Sequence, residues 1–508
     1  MDDEGVEKLL DSSEPLVVVE APAGSGKTYQ GARYAERSSQ ALAFGKVLIL
    51  AHTHAACGVF SDRTKSNRNR VEIKTIDSLV VQIASIYHTS ILLPGDVSGW
   101  ARSQENGFDE LATKVAELLS KKVIISRALI KRYPVIICDE HQDASESQHQ
   151  IVLSLYRAGA KMRVFGDPMQ SIYVRTTNAI RRNEANWGDL IKMGAFAELE
   201  IPHRWEEGSL ELGRWVMLAR KSLMETGVID LAGNLPKGLD VRVVNNVSSV
   251  PSLYQLDKIQ RKPVDRIIDR SEQVLVLATS NETVHNLRSA FFRKLPIWEG
   301  HNRGPLSELV EKMSIQGIGV DEVASAAVEF VYEVSAGFSP SSHGDRFLKE
   351  VAEKCTSKAT KKPLLLQNLA RRLLDSPDHI GVSGLLGELK NLVVSGAPGF
   401  TDVKIDYWSA LNDAIRLGGY LDGRDGLNQM QRKRSYLRPR PPERCLSTVH
   451  KAKGLECDNA VIMACDGKHF SATEYSKRRL YVALSRARCN LTIVLSKVTP
   501  TPLIKWEF

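Results

Sequence analysis

The apolar residues fall in short blocks. Val17 to Val19, Lys46 to Leu50, Val71 to Lys74, Val135 to Cys138, Met162 to Phe165, Val274 to Leu277, Ala460 to Met463 and Leu491 to Leu495 are compact runs rich in Val, Ile and Leu. Such runs predict strands buried on both faces, the habit of parallel sheets covered by helices. Between them the period lengthens to that of a helix, over Gln30 to Arg37, Ser145 to Tyr156 and Glu282 to Phe292. Leu111, Val115, Leu118 and Leu119 predict helix within about 85–130, an insertion between sheet strands. From about 305 to 435 the pattern is helical again, with Leu364 to Leu374 as an amphipathic run. A basic, Pro-rich connector follows, with Arg432, Lys433, Arg434, Arg438 and Arg440 beside Pro439, Pro441 and Pro442. It reads as a semi-rigid linker, with phosphate contact as the alternative. The fold class is therefore α/β.

Polar residues gather just after these runs, where open α/β sheets bind ligands. Val17 to Val19 lead into Glu20-Ala21-Pro22-Ala23-Gly24-Ser25-Gly26-Lys27-Thr28. A strand, a small-residue loop and a helix start in this order make a phosphate loop. Ala23, Gly24, Ser25 and Gly26 let backbone N–H groups approach phosphate, Lys27 supplies a point charge, and Thr28 offers a hydroxyl to Mg²⁺. Ala21 stands where the first glycine normally sits. Val135 to Cys138 end in Asp139-Glu140-His141-Gln142-Asp143. Paired carboxylates there suit metal-assisted phosphoryl transfer, with Asp139 on Mg²⁺ and Glu140 orienting and deprotonating water. Gly166 to Tyr173 follow the next strand, and Gln170 is a neutral group able to sense a γ-phosphate. Two further polar strand ends are Ala51-His52-Thr53-His54 and Thr75-Ile76-Asp77-Ser78. The cluster Arg63, Lys65, Arg68, Arg70 and Lys74 reads equally as a solvated face or a phosphate track.

Composition changes this picture little. The chain has 508 residues, 43% hydrophobic and 25% charged, as in ordinary globular proteins. A net charge of +8 is compatible with a polyanionic partner. Seven cysteines without a C-x-x-C pair point to buried thiols in a reduced, cytoplasmic setting rather than a metal cluster. No signal peptide or bilayer-spanning run is present, so no membrane role is expected.

The order of these motifs, from the phosphate loop onwards, resembles the UvrD/Rep branch of superfamily 1 DNA helicases. Asp139 to Asp143 match that family's DExQD box and Gly166 to Tyr173 its GDxxQSIY box. Glu198 to Trp205, Ser447 to Glu456 and Lys477 to Arg488 match its later motifs. The resemblance implies two RecA-like P-loop domains with parallel sheets and smaller, mainly helical insertions. The first would span 1–198, the second 199–304 with 441–508, and a helical insertion with its connector 305–440. It implies ATP and Mg²⁺ as cofactors and single-stranded or tailed duplex DNA as partner. Arg204 and Arg486 would be arginine fingers, and Glu456 would bond the ribose or phosphate network. His203 takes the place of a tyrosine that stacks on adenine. Thr448 and His450 would touch the nucleic-acid backbone. His52 stands for a stacking aromatic, and Thr53, Thr75, Ser78 and Tyr173 line the same track. The tryptophan expected after the QSIY sequence is missing, and Arg175, whose guanidinium can stack on a base, takes its part. No glutamine precedes the phosphate loop. Travel from 3′ to 5′ is implied by the family alone. The alternative is an ATP-gated subunit that senses DNA ends and signals to a separately encoded OLD/TOPRIM-type nuclease, as in Gabija-like anti-phage defence. RNA translocation is a third reading.

Overall fold

A computed structural model describes residues 1–65, 69–104, 106–174, 176–244, 248–250, 253–255, 258–291, 294–298, 304–315, 317–358, 360–436 and 441–506. Arg68, Arg175, Arg438, Pro439 and Arg440 of the sequence expectations lie outside these residues. Contacts divide the chain into one compact unit of Met1–Arg293 with Glu443–Phe508, and a second of Lys294–Pro442.

The first unit holds two large parallel sheets, beside two short ribbons that pair Ile229–Asp230 with Ile504–Lys505 and Ser248–Val250 with Leu253–Gln255. One is built from β1 (Leu16–Glu20), β2 (Val47–Ala51), β3 (Val71–Thr75), β4 (Val135–Cys138), β5 (Lys161–Gly166) and β6 (Ala195–Glu198), in the order β3-β2-β4-β5-β1-β6. The other holds β7 (Leu239–Val244), β8 (Val274–Ala278), β9 (Arg444–Thr448), β10 (Cys457–Cys465) and β11 (Ala487–Ser496), in the order β9-β8-β10-β11-β7. Every pairing within both is parallel. These are the two RecA-like layers.

The apolar runs explain why. Successive strand residues point to opposite faces, so an unbroken run feeds two cores at once. Leu16, Val18, Leu48, Leu50, Ile136 and Cys138 pack on one face of the first sheet. Val17, Val19, Val47, Ile49, Val135 and Ile137 pack on the other. The helical stretch between β3 and β4 resolves into Val97–Ser103, Gly107–Lys121 and Val123–Arg132, whose Leu111, Val115, Leu118 and Leu119 join the first of these cores. The second unit, taken alone, is mainly helical, from Gly304–Met313 to Gly423–Tyr436, with one short ribbon, Ser335–Ala336 against Lys404–Ile405. Among the described residues no helix is long and apolar enough to cross a membrane. The cysteines are all free thiols.

Arg163 on β5 is fully buried and staples the N-terminal segment. It donates to the carbonyls of Leu10 at 2.7 Å, Glu14 at 3.0 Å and Ser12 at 3.1 Å. Replacing it with Met removes donors to these carbonyls while keeping the bulk. Arg163→Met should lower unfolding free energy by about 1–3 kcal/mol, read from the urea midpoint at unchanged slope.

Candidate nucleotide and nucleic-acid site

The phosphate loop leaves β1 at Glu20, and the Ala21 N–H donates to the Gly166 carbonyl at 2.8 Å. Gly24 and Gly26 hold φ of 77° and 85°, left-handed values that favour glycine. Ala21 is not among the positive-φ residues, which is why an alanine serves there. Gly26 opens the helix Lys27–Ala41 without a side-chain cap, so first-turn N–H groups remain available to an anion. Ser25 is buried and its hydroxyl donates to the Pro22 carbonyl at 2.8 Å. Thr28 follows Lys27 in the first helical turn.

Opposite the loop, Asp139 is 3% exposed, and its Oδ1 is buried without a hydrogen-bond partner. Lys27 Nζ lies 3.6 Å from that oxygen and pairs more closely with Glu140 Oε1. Burial pushes the Asp139 carboxyl up to about 6, with Lys27 opposing and Glu140 adding. Burial acts the same way on Glu140, but the Lys27 and Lys453 ammonium groups outweigh it and hold that carboxyl well below the usual range. Glu140 sits at φ 54°, a left-handed conformation uncommon for a side-chain-bearing residue and typical of functional sites. Gln142 pairs with Glu140 through its amide nitrogen and accepts from the Asp167 N–H at 3.1 Å.

This donor set fits Mg²⁺. The ion takes one or two carboxylates and completes its shell with water and phosphate oxygens. An orphaned buried Asp139 oxygen beside the phosphate loop supplies that. Among the described residues no group of three or more His, Cys, Asp or Glu side chains forms an all-protein cage.

The second sheet contributes the other wall. Arg204 lies in the short turn His203–Trp205, and its backbone N–H donates to the Gly24 carbonyl at 3.0 Å. Its guanidinium reaches the Ser485 carbonyl at 2.6 Å and Glu456 Oε1 at 2.8 Å, and its Nε is buried without a partner. Arg486 is 1% exposed and donates to the carbonyls of Val482 at 2.8 Å and Leu455 at 3.2 Å and to Ser485 Oγ at 2.6 Å. Burial, then the Arg204 charge, bring its guanidinium down to about 9. His203 lies over Gly26: a Cβ there would stand 3.2 Å from the imidazole. Its ring nitrogens are 2.6 Å from Asp3 Oδ2 and 2.6 Å from Glu206 Oε1. The Gln170 side chain is buried and donates to Asp167 Oδ2 at 2.8 Å.

Four residues of this site carried no role in the sequence expectations. Tyr481, fully buried, accepts the Ala23 N–H at 2.8 Å. Lys453 pairs with Asp143 and donates to the Gln170 carbonyl at 2.7 Å. Asp3 holds His203, and Arg220 pairs with Asp167. Tyr481 and Lys453 stand inside quoted motifs. Asp3 and Arg220 carry no local signal, because their partners are distant in sequence.

The expected strand contacts spread over both sheets. Thr53 and Thr75 cap helices, accepting from Ala56 N and Ser78 N, each at 3.1 Å. The Thr75 and Ser78 hydroxyls also bond each other at 2.7 Å. Burial brings the His52 imidazole down to about 4, so it is neutral at physiological pH. Tyr173 is 55% exposed with the Lys453 ammonium 4.8 Å from its ring centre. Thr448 Oγ1 accepts from Lys451 N at 3.3 Å. His450 Nε2 lies 3.0 Å from the Ile172 carbonyl oxygen and 2.7 Å from the Tyr475 hydroxyl.

Residues 97–175 match the UvrD/REP helicase N-terminal domain, and residues 444–494 match the UvrD-like helicase C-terminal domain. The N-terminal match takes in the Asp139 and Gln170 boxes, and the C-terminal match takes in Thr448, Glu456, Tyr481 and Arg486. The phosphate loop and Arg204 lie outside both matches. Two RecBCD enzyme subunit RecB proteins of Buchnera aphidicola are similar over short stretches. One, from subspecies Schizaphis graminum, is 39% identical over 69 residues, 13% of this chain and 6% of that protein. The other, from subspecies Baizongia pistaciae, is 33% identical over 67 residues, again 13% and 6%.

The close approach at Gly24 is open to test. A Cβ there would stand 2.6 Å from Arg204 Cβ and 2.8 Å from the Trp205 ring, whereas one at Gly233 meets nothing within 4 Å. Gly24→Ala should cut ATP turnover by at least 10-fold, by displacing the second-sheet wall. Gly233→Ala, with φ of 93°, carries backbone strain alone and should keep turnover within about 2-fold.

Proposed function

We propose that the UvrD-like chain is an ATP-driven DNA translocase or helicase of superfamily 1. What supports this most is the cross-sheet grip on the phosphate loop: Ala23 N–H on Tyr481, and Gly24 carbonyl under Arg204 N–H. Nucleotide bound to that loop is in reach of groups from both sheets. Lys27 is paired with Glu140. A triphosphate presents a stronger anion, draws Lys27 to its β/γ oxygens and leaves Glu140 to take the proton of the attacking water. Thr28 and Asp139 would hold Mg²⁺, which when bound offsets charge on the phosphate oxygens. Gln170 positions the reacting groups. Arg204 and Arg486 meet the charge that develops as the bond breaks, a contribution on the order of 10³-fold or more. Arg486 must first exchange its backbone carbonyls for phosphate, which links its action to motion between the sheets. His203 covers the base side of the loop.

DNA crosses the C-terminal strand edges, with His52, Thr53, Thr75, Ser78, Tyr173, Thr448 and His450 as contacts to its backbone and bases. Lys453 joins the two functions, since it pairs with Asp143 of the acidic box and overlies Tyr173. Travel runs from 3′ to 5′ on the analogy of the family. A second reading rests on the RecB relatives, each described as a subunit of a larger enzyme. In it the chain gates a separately encoded nuclease, in a defence complex, and unwinds little by itself.

Glu140→Gln should lower turnover by at least 100-fold and still bind ATP, measured by single-turnover hydrolysis beside equilibrium binding. Normal hydrolysis by this variant would remove Glu140 as the base. The purified chain should show ATPase stimulated more by single-stranded DNA than by RNA, and should open a 3′-tailed duplex but not a 5′-tailed one. Stimulation without strand separation, restored by a nuclease partner, would favour the second reading.

A further inference from the structure

Three adjacent strands of the first sheet, β5, β1 and β6, run out into carboxylates at the same edge: Asp167 just past β5, Glu20 at the end of β1 and Glu198 at the end of β6. One cation answers all three. Arg220, on the helix Leu210–Glu225, donates to Asp167 Oδ1 from Nε at 3.2 Å and Nη2 at 3.1 Å, to Glu198 Oε1 at 2.9 Å, and pairs with Glu20. That helix packs against β11 of the second sheet and the helix Glu474–Leu484. Arg220 is 5% exposed, Glu20 7% and Asp167 not at all. Burial and the neighbouring Asp167 charge push the Glu20 carboxyl up, against the pull of Arg220. Separating Arg220 from this edge would leave the buried Glu20 and Asp167 carboxylates without a counter-charge, which is costly in a low-dielectric setting.

The same Asp167 carboxylate takes the Gln170 amide nitrogen on its other oxygen, at 2.8 Å. An ionised carboxylate only accepts, so the orientation of that amide is fixed by chemistry: the NH₂ end faces Asp167 and the carbonyl oxygen faces away. The Asp167 N–H continues the chain to Gln142 at 3.1 Å, and Gln142 pairs with Glu140. A line of hydrogen bonds thus joins a second-sheet helix to the proposed base.

We propose that Arg220 is a positioning residue: it fixes Asp167, and through it presents the Gln170 carbonyl oxygen as an acceptor for the attacking water. This rests on the ATPase reading above. It assigns Gln170 to the water rather than to the γ-phosphate oxygens, which need a donor. Glu20 and Glu198 hold the guanidinium against Asp167.

The test is a double-mutant cycle on the full chain, with Arg220→Gln, Gln170→Ala and the pair, in saturating single-stranded DNA. Arg220→Gln should lower kcat by at least 10-fold and move the ATP KM by less than about 3-fold. The double variant should be no slower than Gln170→Ala within about 2-fold, because both changes remove one function. Arg220→Lys, which keeps charge but not the fork, should fall between wild type and Arg220→Gln, and replaces it in the cycle if the Gln variant melts early. Multiplicative losses in the double variant, or wild-type kcat in Arg220→Gln, overturn the proposal while leaving the ATPase reading intact. A folded wild-type chain that turns over no ATP overturns both.

Discussion

The phosphate loop is tied to the other layer by a phenol: the Tyr481 hydroxyl, on the helix Glu474–Leu484, accepts an N–H of the loop. Tyr481 is fully buried and Ala23 is 3% exposed, so neither group has water as a substitute. A made hydrogen bond of this kind contributes about 1 kcal/mol net, but an unmade one leaves a buried donor at about 1–3 kcal/mol. Arg204 N–H on the Gly24 carbonyl ties the next residue of the loop to the same side. Loop shape and sheet separation are therefore one variable. A ligand that reshapes the loop changes the separation, and the reverse holds by linkage.

Charges at the interface follow the same logic. Lys453 with Asp143, and Arg220 with Glu20 and Asp167, are pairs shielded from solvent. Buried pairs add little to stability against an apolar alternative, but removing one member is severe. Such contacts specify one arrangement of the two layers more than they strengthen it. Opening requires replacement partners, and phosphate oxygens and water are suitable ones.

Much of this was legible in the sequence. The apolar runs marked most core strands within one or two residues, because a strand buried on both faces admits few polar positions. Val135–Cys138 matched residue for residue, and Lys46 to Leu50 shifted only to Val47–Ala51. Longer strands such as Cys457–Cys465 extended past their apolar centres, since ladder pairing continues where burial is partial. The phosphate loop and acidic box were readable because their chemistry needs fixed local spacing. Arg220 was not, since it lies 53 residues from Asp167 and 200 from Glu20. Nor was the capping work of Thr53 and Thr75, which a polar strand end only permits. Ala21 departs from the expected glycine at a position whose backbone is not left-handed, so a side chain there meets no backbone strain.

The order of strands in the second sheet carries a further consequence, for synthesis. Among the described residues β7 pairs with β11 alone, Leu239 facing Leu491, while the whole Lys294–Pro442 unit and β8 to β10 lie between them in sequence. As the polypeptide leaves the ribosome, β7 emerges about 250 residues before this neighbour. For that interval it is an unpaired edge, the kind of template on which chains aggregate. Nascent chains of this protein should therefore depend on chaperones until β11 is made, and C-terminal truncations that remove β11 should leave β7 exposed for good.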